Sequence, residues 1–438
     1  MSNLSALNHP EGKNFIYFFK GNQYFKYDWK NDQVLGKARP LSSWKGLPPD
    51  GIDAAFNHPT QKDSLVFFLK GTTCFLYEWH PDKVVKKGPI TDFFPGLPAI
   101  EINAVLNHPK NPARYIYFFS KTDYYLYDWQ NKALVKGYPK PTHKMWSGYP
   151  HHYMDAAVNH PTNSDKVYLF LGSLYFRYDW TSDSVDSNYP KKVAKHWKGL
   201  NINSIWKITP THLKIVKSEE WRDDPYLVGI YWSAAIGVKG STSVQLLDTY
   251  KLLGQNIPTG NTITIPQDAN LAITEEMNTF GYVEPHSVNT PVFVMGYFMI
   301  GMDRDFAGHR LMDRTLDFLK NLIKTSLEKN IENTPWFAPT NNIPNTAAVK
   351  TAIEQLTKDV TRQILAPEAN SFISFLDALF LDDVVGSGQL FFTNLDADLS
   401  SLIQIDNNHP MSIETTSTNL TLKGVGEYEI SFKIERVK

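Results

Sequence analysis

The sequence predicts a mainly β protein in two parts. An N-terminal four-bladed β-propeller fills residues 1–205, and a C-terminal β-sandwich fills residues 206–438, with a helical segment inserted at about 306–380. Three observations predict this. The tripeptide Asn-His-Pro recurs at Asn8-His9-Pro10, Asn57-His58-Pro59, Asn107-His108-Pro109 and Asn159-His160-Pro161, at spacings of 49, 50 and 52 residues. A fixed period of that size is the mark of a repeat architecture. Each unit holds several short runs of β-branched and aromatic residues between Gly, Pro and Asn punctuation, the pattern of one propeller blade. Near Leu200 the repeat stops, and longer apolar runs with acidic residues at their ends take over.

Bulk properties agree. A chain of 438 residues with 42% hydrophobic and 20% charged residues has enough apolar material for two or three packed domains. The net charge of −1 and the lack of a basic run argue against a nucleic-acid partner. Aromatic residues reach 13%, concentrated in the repeats, and suit β-structure and contact surfaces. Cys74 is the single cysteine, so no internal disulfide forms. Met1-Ser2-Asn3-Leu4 lacks the basic and apolar regions of a signal peptide. The longest apolar patch, Pro291 to Gly301, is too short to span a bilayer. The expectation is a soluble protein, cytoplasmic or released by a non-classical route.

Within each repeat the parts follow in order. A short strand of small residues comes first, as in Ile52-Asp53-Ala54-Ala55-Phe56, Ile102-Asn103-Ala104-Val105-Leu106 and Met154-Asp155-Ala156-Ala157-Val158. Small side chains belong at a crowded central axis, where four backbones approach. The Asn-His-Pro turn follows, then an apolar strand such as Phe15-Ile16-Tyr17-Phe18-Phe19. Next is an aromatic strand ending in Tyr27-Asp28-Trp29, Tyr77-Glu78-Trp79, Tyr127-Asp128-Trp129 or Tyr178-Asp179-Trp180. Trp44 to Leu47, Phe94 to Leu97, Trp146 to Tyr149 and Trp197 to Leu200 close the four units.

The order Asp-Ala-Ala, then Tyr-x-Phe-x-Gly-x-x-Tyr-x-x-Tyr-Asp, then Trp-x-Gly-Leu-Pro resembles the hemopexin repeat, over roughly residues 1–205. That family includes haem carriers, metalloprotease accessory domains, vitronectin, plant seed albumins and bacterial photopexins; the cysteine-poor, single-propeller photopexins and seed albumins are nearest in kind. The resemblance implies a four-bladed propeller with an axial channel. It also implies a calcium or sodium ion held there by backbone carbonyls at the aspartate position, which here is Leu4, Asp53, Asn103 and Asp155. Leu4 departs from the acidic or amide type, which leaves its carbonyl in place but removes nearby charge. The family's disulfide between first and last blades cannot form here, so packing must close the ring.

His9, His58, His108 and His160 occupy equivalent places around a pseudo-fourfold axis. A converging set of imidazoles would bind a transition metal or haem. The plainer reading makes Asn-His-Pro the turn after the inner strand. That reading is preferred, and haem is not expected, because the family's haem carriers bind between two propellers.

In the second half, Asp224 opens the strand Pro225 to Ile230, Asp303 and Asp305 follow Val292 to Met302, and Asp383 precedes Val384-Val385-Gly386. Carboxylates gathered on loops suit calcium. This order is similar to the calcium-binding β-sandwich of protein kinase C and synaptotagmin, which implies a calcium-dependent contact with a membrane or partner. Asn419 to Val425 and Tyr428 to Val437 read as its last strands. The departure is a long insert between Asp305 and Asp382. There Met312, Leu316, Leu319, Ile323 and Leu327 recur at helical spacing, as do Val349, Ile353, Leu356, Val360 and Ile364. Their mixed-charge polar faces point to ordinary packing on the sandwich.

No Gly-x-Ser-x-Gly elbow, His-Glu-x-x-His pair or phosphate-cradling glycine loop occurs. Gly237-Val238-Lys239-Gly240-Ser241-Thr242 only superficially resembles such a loop and reads as a hairpin turn. The expected protein is not an enzyme. It binds a protein or glycan ligand through the propeller, and likeness to photopexins implies a bacterial virulence or insecticidal factor. The alternatives are haem or metal sequestration by the histidine ring, and an enzyme with a cryptic site within residues 300–385, where His309 lies beside Asp305 and Asp313.

Overall fold

Four consecutive antiparallel sheets follow the four sequence repeats. Each is built from one contiguous stretch of chain, with no strand exchanged between first and last among the described residues. The computed structural model describes residues 4–200, 202, 204–218, 220–247, 251–277, 293–304, 312–333, 383–393 and 415–436. The chain divides after Asn203 into two compact units. The first is the four-bladed propeller.

Its inner strands are Leu4–Asn8, Ala54–Asn57, Ala104–Asn107 and Ala156–Asn159. The apolar strands Phe15–Lys20, Leu65–Lys70, Tyr115–Ser120 and Lys166–Leu171 pair with them. These second strands bury at least four residues in a row rather than alternating, because a neighbouring blade covers each face. The core therefore lies between blades. One cluster joins Leu4, Phe18 and Tyr27 of the first blade to Phe170, Tyr175 and Trp197 of the fourth. A second cluster joins blades one and two, and a third joins blades two and three. Each fully buried Phe contributes about 1.5–3 kcal/mol.

The closing Trp-x-Gly-Leu segment is the hinge pin of this packing. Trp44, Phe94, Trp146 and Trp197 follow a short helical turn and insert between two blades. Gly46, Gly148 and Gly199 then adopt φ of +90°, +85° and +79°. A Cβ at Gly46 would lie 2.9 Å from Val84 Cβ, one at Gly148 2.8 Å from Val185, and one at Gly199 3.2 Å from Val34. Only glycine lets the segment lie against the next blade's outer strand, where it forms the bridges Lys45–Lys83, Ser147–Ser184 and Gln33–Lys198.

The second unit differs from expectation in how its strands combine. Among the described residues, nine of these strands form one curled antiparallel sheet rather than two packed sheets, while Arg222–Asp223 and Ile257–Pro258 pair apart from it. Its order is Ser243–Leu247, Pro225–Ala235, Phe293–Asp303, Asp383–Thr393, Thr415–Lys423, Glu427–Arg436 and Ser204–Lys217, with Thr262–Thr264 and Ile273–Met277 both on the last strand's far edge. Strands of 9 to 14 residues explain the difference, because a long twisted sheet curls and covers its own inner face. The first expected helix is present at Met312–Leu327 and runs into a π-helical turn, Glu328–Glu332. The second, over Val349 to Ile364, lies outside the described residues. The segment 236–242 is a turn between two strands, as its glycines predict, with Gly237 and Gly240 at positive φ.

Candidate functional site

The Asn-His-Pro tripeptides end the four inner strands, at one mouth of the axial cavity. Inner-strand residues line that cavity: Ala6, Ala55, Val105 and Ala157 at one level, and Asn8, Asn57, Asn107 and Asn159 at another. Its volume is about 110 Å³.

The asparagines form a closed circuit. Asn57 Nδ2 donates to the Asn8 carbonyl at 3.2 Å, Asn107 to Asn57 at 3.1 Å, Asn159 to Asn107 at 2.9 Å, and Asn8 to Asn159 at 3.0 Å. Each blade is thus tied to the one before it, and the last bond closes first blade on fourth. Where no disulfide is available, four net contributions of about 0.5–1.5 kcal/mol do part of that work.

The histidines do not come together as a ligand set. Among the described residues no group of three or more His, Cys, Asp or Glu side chains is placed to hold a metal ion. Each imidazole Nδ1 instead accepts backbone N–H groups of its own turn: Glu11 on His9, Thr60 and Gln61 on His58, Lys110 and Asn111 on His108, Thr162 and Asn163 on His160. The ring proton therefore sits on Nε2. Each ring also packs edge-on against the Tyr-Asp-Trp tryptophan of the next blade. The pairs are His9 with Trp79, His58 with Trp129, His108 with Trp180 and His160 with Trp29, at 5.0, 4.9, 4.8 and 4.6 Å. Burial disfavours the charged imidazole, and neighbouring Lys13 and Lys132 act the same way on His9 and His58, whose pKa values fall to about 4. His108 and His160 are also lowered, by burial first. These rings are neutral at pH 7, and their role is to hold turn and blade together.

At the other end of the inner strands, the positions Leu4, Asp53, Asn103 and Asp155 are equivalent in register. Their backbone N–H groups at 53, 103 and 155 donate to Leu69, Phe119 and Phe170. Three of the side chains staple a hairpin turn: Asp53 accepts from Gly71 N–H at 2.6 Å, Asn103 from Lys121 at 2.7 Å, Asp155 from Gly172 at 2.6 Å. Leu4 has no such acceptor to offer. Burial pushes the Asp155 carboxyl up to about 6, against the opposing pull of the Gly172 N–H. A carboxyl whose folded pKa is raised holds its proton more tightly when folded, so it costs stability as pH rises through about 4 to 6. Asp155→Asn keeps the acceptor, as Asn103 does naturally. It is expected to raise stability on the order of 1 kcal/mol at pH 7 and to change nothing at pH 3.5, measured by thermal unfolding at both pH values.

The Tyr-Asp-Trp motif is likewise structural. Tyr27, Tyr77 and Tyr178 donate their hydroxyls to Asp32, Asp82 and Asp183 at 2.5, 2.5 and 2.6 Å. In the third blade Lys132 takes that place, and the buried Tyr127 hydroxyl has no partner. Asp28, Asp128 and Asp179 accept N–H groups from the residues two and three further on.

In the second unit, the backbone positions of Asp224, Asp303 and Asp383 lie at one end of the sheet. Pro225 and Asp383 flank Asp303 in register, and Asp303 Oδ1 accepts the Asp224 N–H at 2.6 Å. Asp224 Oδ1 in turn accepts the Asn256 N–H at 2.5 Å. These two carboxylates are thus engaged with backbone. Asp305 and His309 lie outside the described residues, as do residues 334–382. Neighbouring Asp223, only 2% exposed, accepts from Ser218 Oγ and from Tyr428 Oη at 2.8 Å. Its role was not legible from sequence, since nothing local signals a partner 205 residues away.

The first unit is a four-bladed propeller whose inner strands are linked around the axis by asparagine side chains. The Hemopexin family model matches residues 6–49 and 154–201, the first and fourth blades. Macrophage metalloelastase of Oryctolagus cuniculus is 39% identical over 69 residues, 15% of this chain and 14% of that protein. Interstitial collagenase of Equus caballus is 36% identical over 69 residues, with 15% and 14% covered. The chain spans about a seventh of these relatives' length, and the matches fall in the hemopexin region, with no enzyme domain among them. Among solved structures, a 2S albumin seed protein from Dolichos is 20% identical with a TM-score of 0.40, over 46% of this chain and 98% of that one. The hemopexin fold protein CP4 from cow pea is 20% identical with a TM-score of 0.39, over 46% and 96%.

Proposed function

We propose that this is a non-enzymatic binding protein whose propeller takes an anionic macromolecular surface, protein or glycan. The near-zero net charge conceals a division. Residues 1–203 hold 25 Lys and Arg against 17 Asp and Glu, while residues 204–438 hold 19 against 28. A locally basic domain attracts polyanions even when the whole chain is neutral.

The outer strand of the second blade carries the reading. It runs unbroken over Lys83–Pro89, whereas the other three blades have only two-residue pieces there. Lys83, Lys86 and Lys87 are exposed on it, and Lys45 lies alongside Lys83. The Lys86 ammonium sits over the Phe93 ring at 4.5 Å, which fixes its direction. Edge lysines also block strand-on-strand aggregation, so the test must separate binding from solubility. The full chain is expected to be retained on heparin-agarose. The Lys83/Lys86/Lys87→Gln variant should elute about 0.1 M salt earlier, because each lysine removed takes away one salt-dependent contact to the polyanion. Flow-through of the wild type, or unchanged elution of a soluble variant, would overturn the proposal.

A further inference from the structure

The asparagine circuit leaves three side-chain oxygens in excess. A backbone carbonyl can only accept, so the bond from each Nδ2 to the neighbouring carbonyl fixes which way the amide faces. The Oδ1 atoms of Asn8, Asn57 and Asn159 are buried and accept no hydrogen bond. Each buried acceptor left without a donor costs about 1–3 kcal/mol. Three such atoms around one axis, on residues that all line a cavity of about 110 Å³, call for a ligand.

We infer that the asparagine ring holds an alkali-metal cation through side-chain amide oxygens, with water completing its shell. The unpartnered acceptors are amide oxygens, and no carboxylate lines the cavity. Divalent calcium sites draw on carboxylate charge, whereas rings of neutral carbonyl dipoles suit weakly hydrated monovalent cations such as K⁺. The site is separate from the backbone carbonyls of Leu4, Asp53, Asn103 and Asp155. Those residues lie four positions earlier on the inner strands, about 13 Å away at 3.3 Å per residue.

That separation makes the inference testable on the unmodified protein. Crystals of the full chain grown in potassium are soaked in rubidium chloride and anomalous scattering is recorded. A peak on the axis within bonding distance of the Asn8, Asn57 and Asn159 amide oxygens is expected. Water alone at the ring, or a peak only at the opposite mouth, would overturn it. In solution, KCl should raise the melting temperature saturably beyond equal N-methylglucamine chloride. Asn57→Asp supplies a carboxylate at the ring and should shift the effect toward Ca²⁺. If that variant fails to fold, the rubidium experiment decides alone.

Discussion

Trp197→Ala is expected to destabilise the propeller by about 3–5 kcal/mol, the cost of deleting a large aromatic from a packed core. Trp197 is 3% exposed and touches two blades distant in sequence. Its ring lies 5.3 Å from Phe18, 4.9 Å from Tyr27 and 5.6 Å from Trp29 in the first blade. In the fourth it lies 5.4 Å from Tyr168, 5.3 Å from Phe170 and 5.7 Å from Tyr175. The other closing aromatics join blades that the chain already connects. Trp197 joins the two that it does not, and no disulfide or exchanged strand assists. The same seam is also held by the Phe18–Phe170 and Trp29–His160 ring contacts at 5.4 and 4.6 Å, by the bond from Val34 N–H to the Lys198 carbonyl at 2.8 Å and by the Asn8–Asn159 link. Denaturant titration should give a lower midpoint, and Trp44→Ala a comparable loss of free energy without loss of closure. Small-angle scattering of Trp197→Ala near its midpoint should show an opened ring. A loss below about 1 kcal/mol would mean that the other first-to-fourth-blade contacts close the ring without Trp197.

In the second unit the largest effect is expected at Glu332. This carboxylate is 5% exposed and sits at the end of the π-helical turn. Its Oε1 accepts from Thr242 N–H at 2.8 Å and its Oε2 from Gly240 N–H at 2.7 Å. The Gly237 N–H donates to the Ile331 carbonyl at 3.0 Å. The glycine-rich turn that superficially resembles a phosphate cradle is thus filled by the protein's own carboxylate. Charge-assisted bonds of this kind are about twice as strong as neutral ones. Glu332→Ala strands two backbone donors, and a loss of about 2–4 kcal/mol follows. Glu332→Gln retains one acceptor and should lose about half. Hydrogen exchange at Gly240 and Thr242 should accelerate in both variants, more in the alanine one; unchanged protection would remove the carboxylate from this role.

Much of the propeller was legible in the sequence. The period of Asn-His-Pro gave four units, the alanines marked the axis, and the aromatic runs marked the buried strands. Each of these signals is local, because a strand's burial is written in its own residues. The task of the histidines was half legible. Their place in a turn follows from Asn and Pro, but their contact with the next blade's tryptophan spans some 70 residues, as from His9 to Trp79. The asparagine circuit was not legible at all, since an Asn in a turn is already explained by turn chemistry. In the second unit the strand positions were readable, but their combination was not. Alternating apolar residues fix which face is buried, not whether the covering layer is a second sheet or the same sheet curled over.

The sequence by itself determined the number of blades, the order of strands within each, the lack of a disulfide and the first helix. Periodicity and residue type act over a few neighbours, so one dimension suffices to read them. Only the tertiary structure decided that Asn8 meets Asn159, that Trp197 wedges the first blade against the fourth, and that Glu332 fills the turn at Gly240. Those contacts depend on where the chain returns after long excursions, and that is fixed by the closure of the ring and the curl of the sheet.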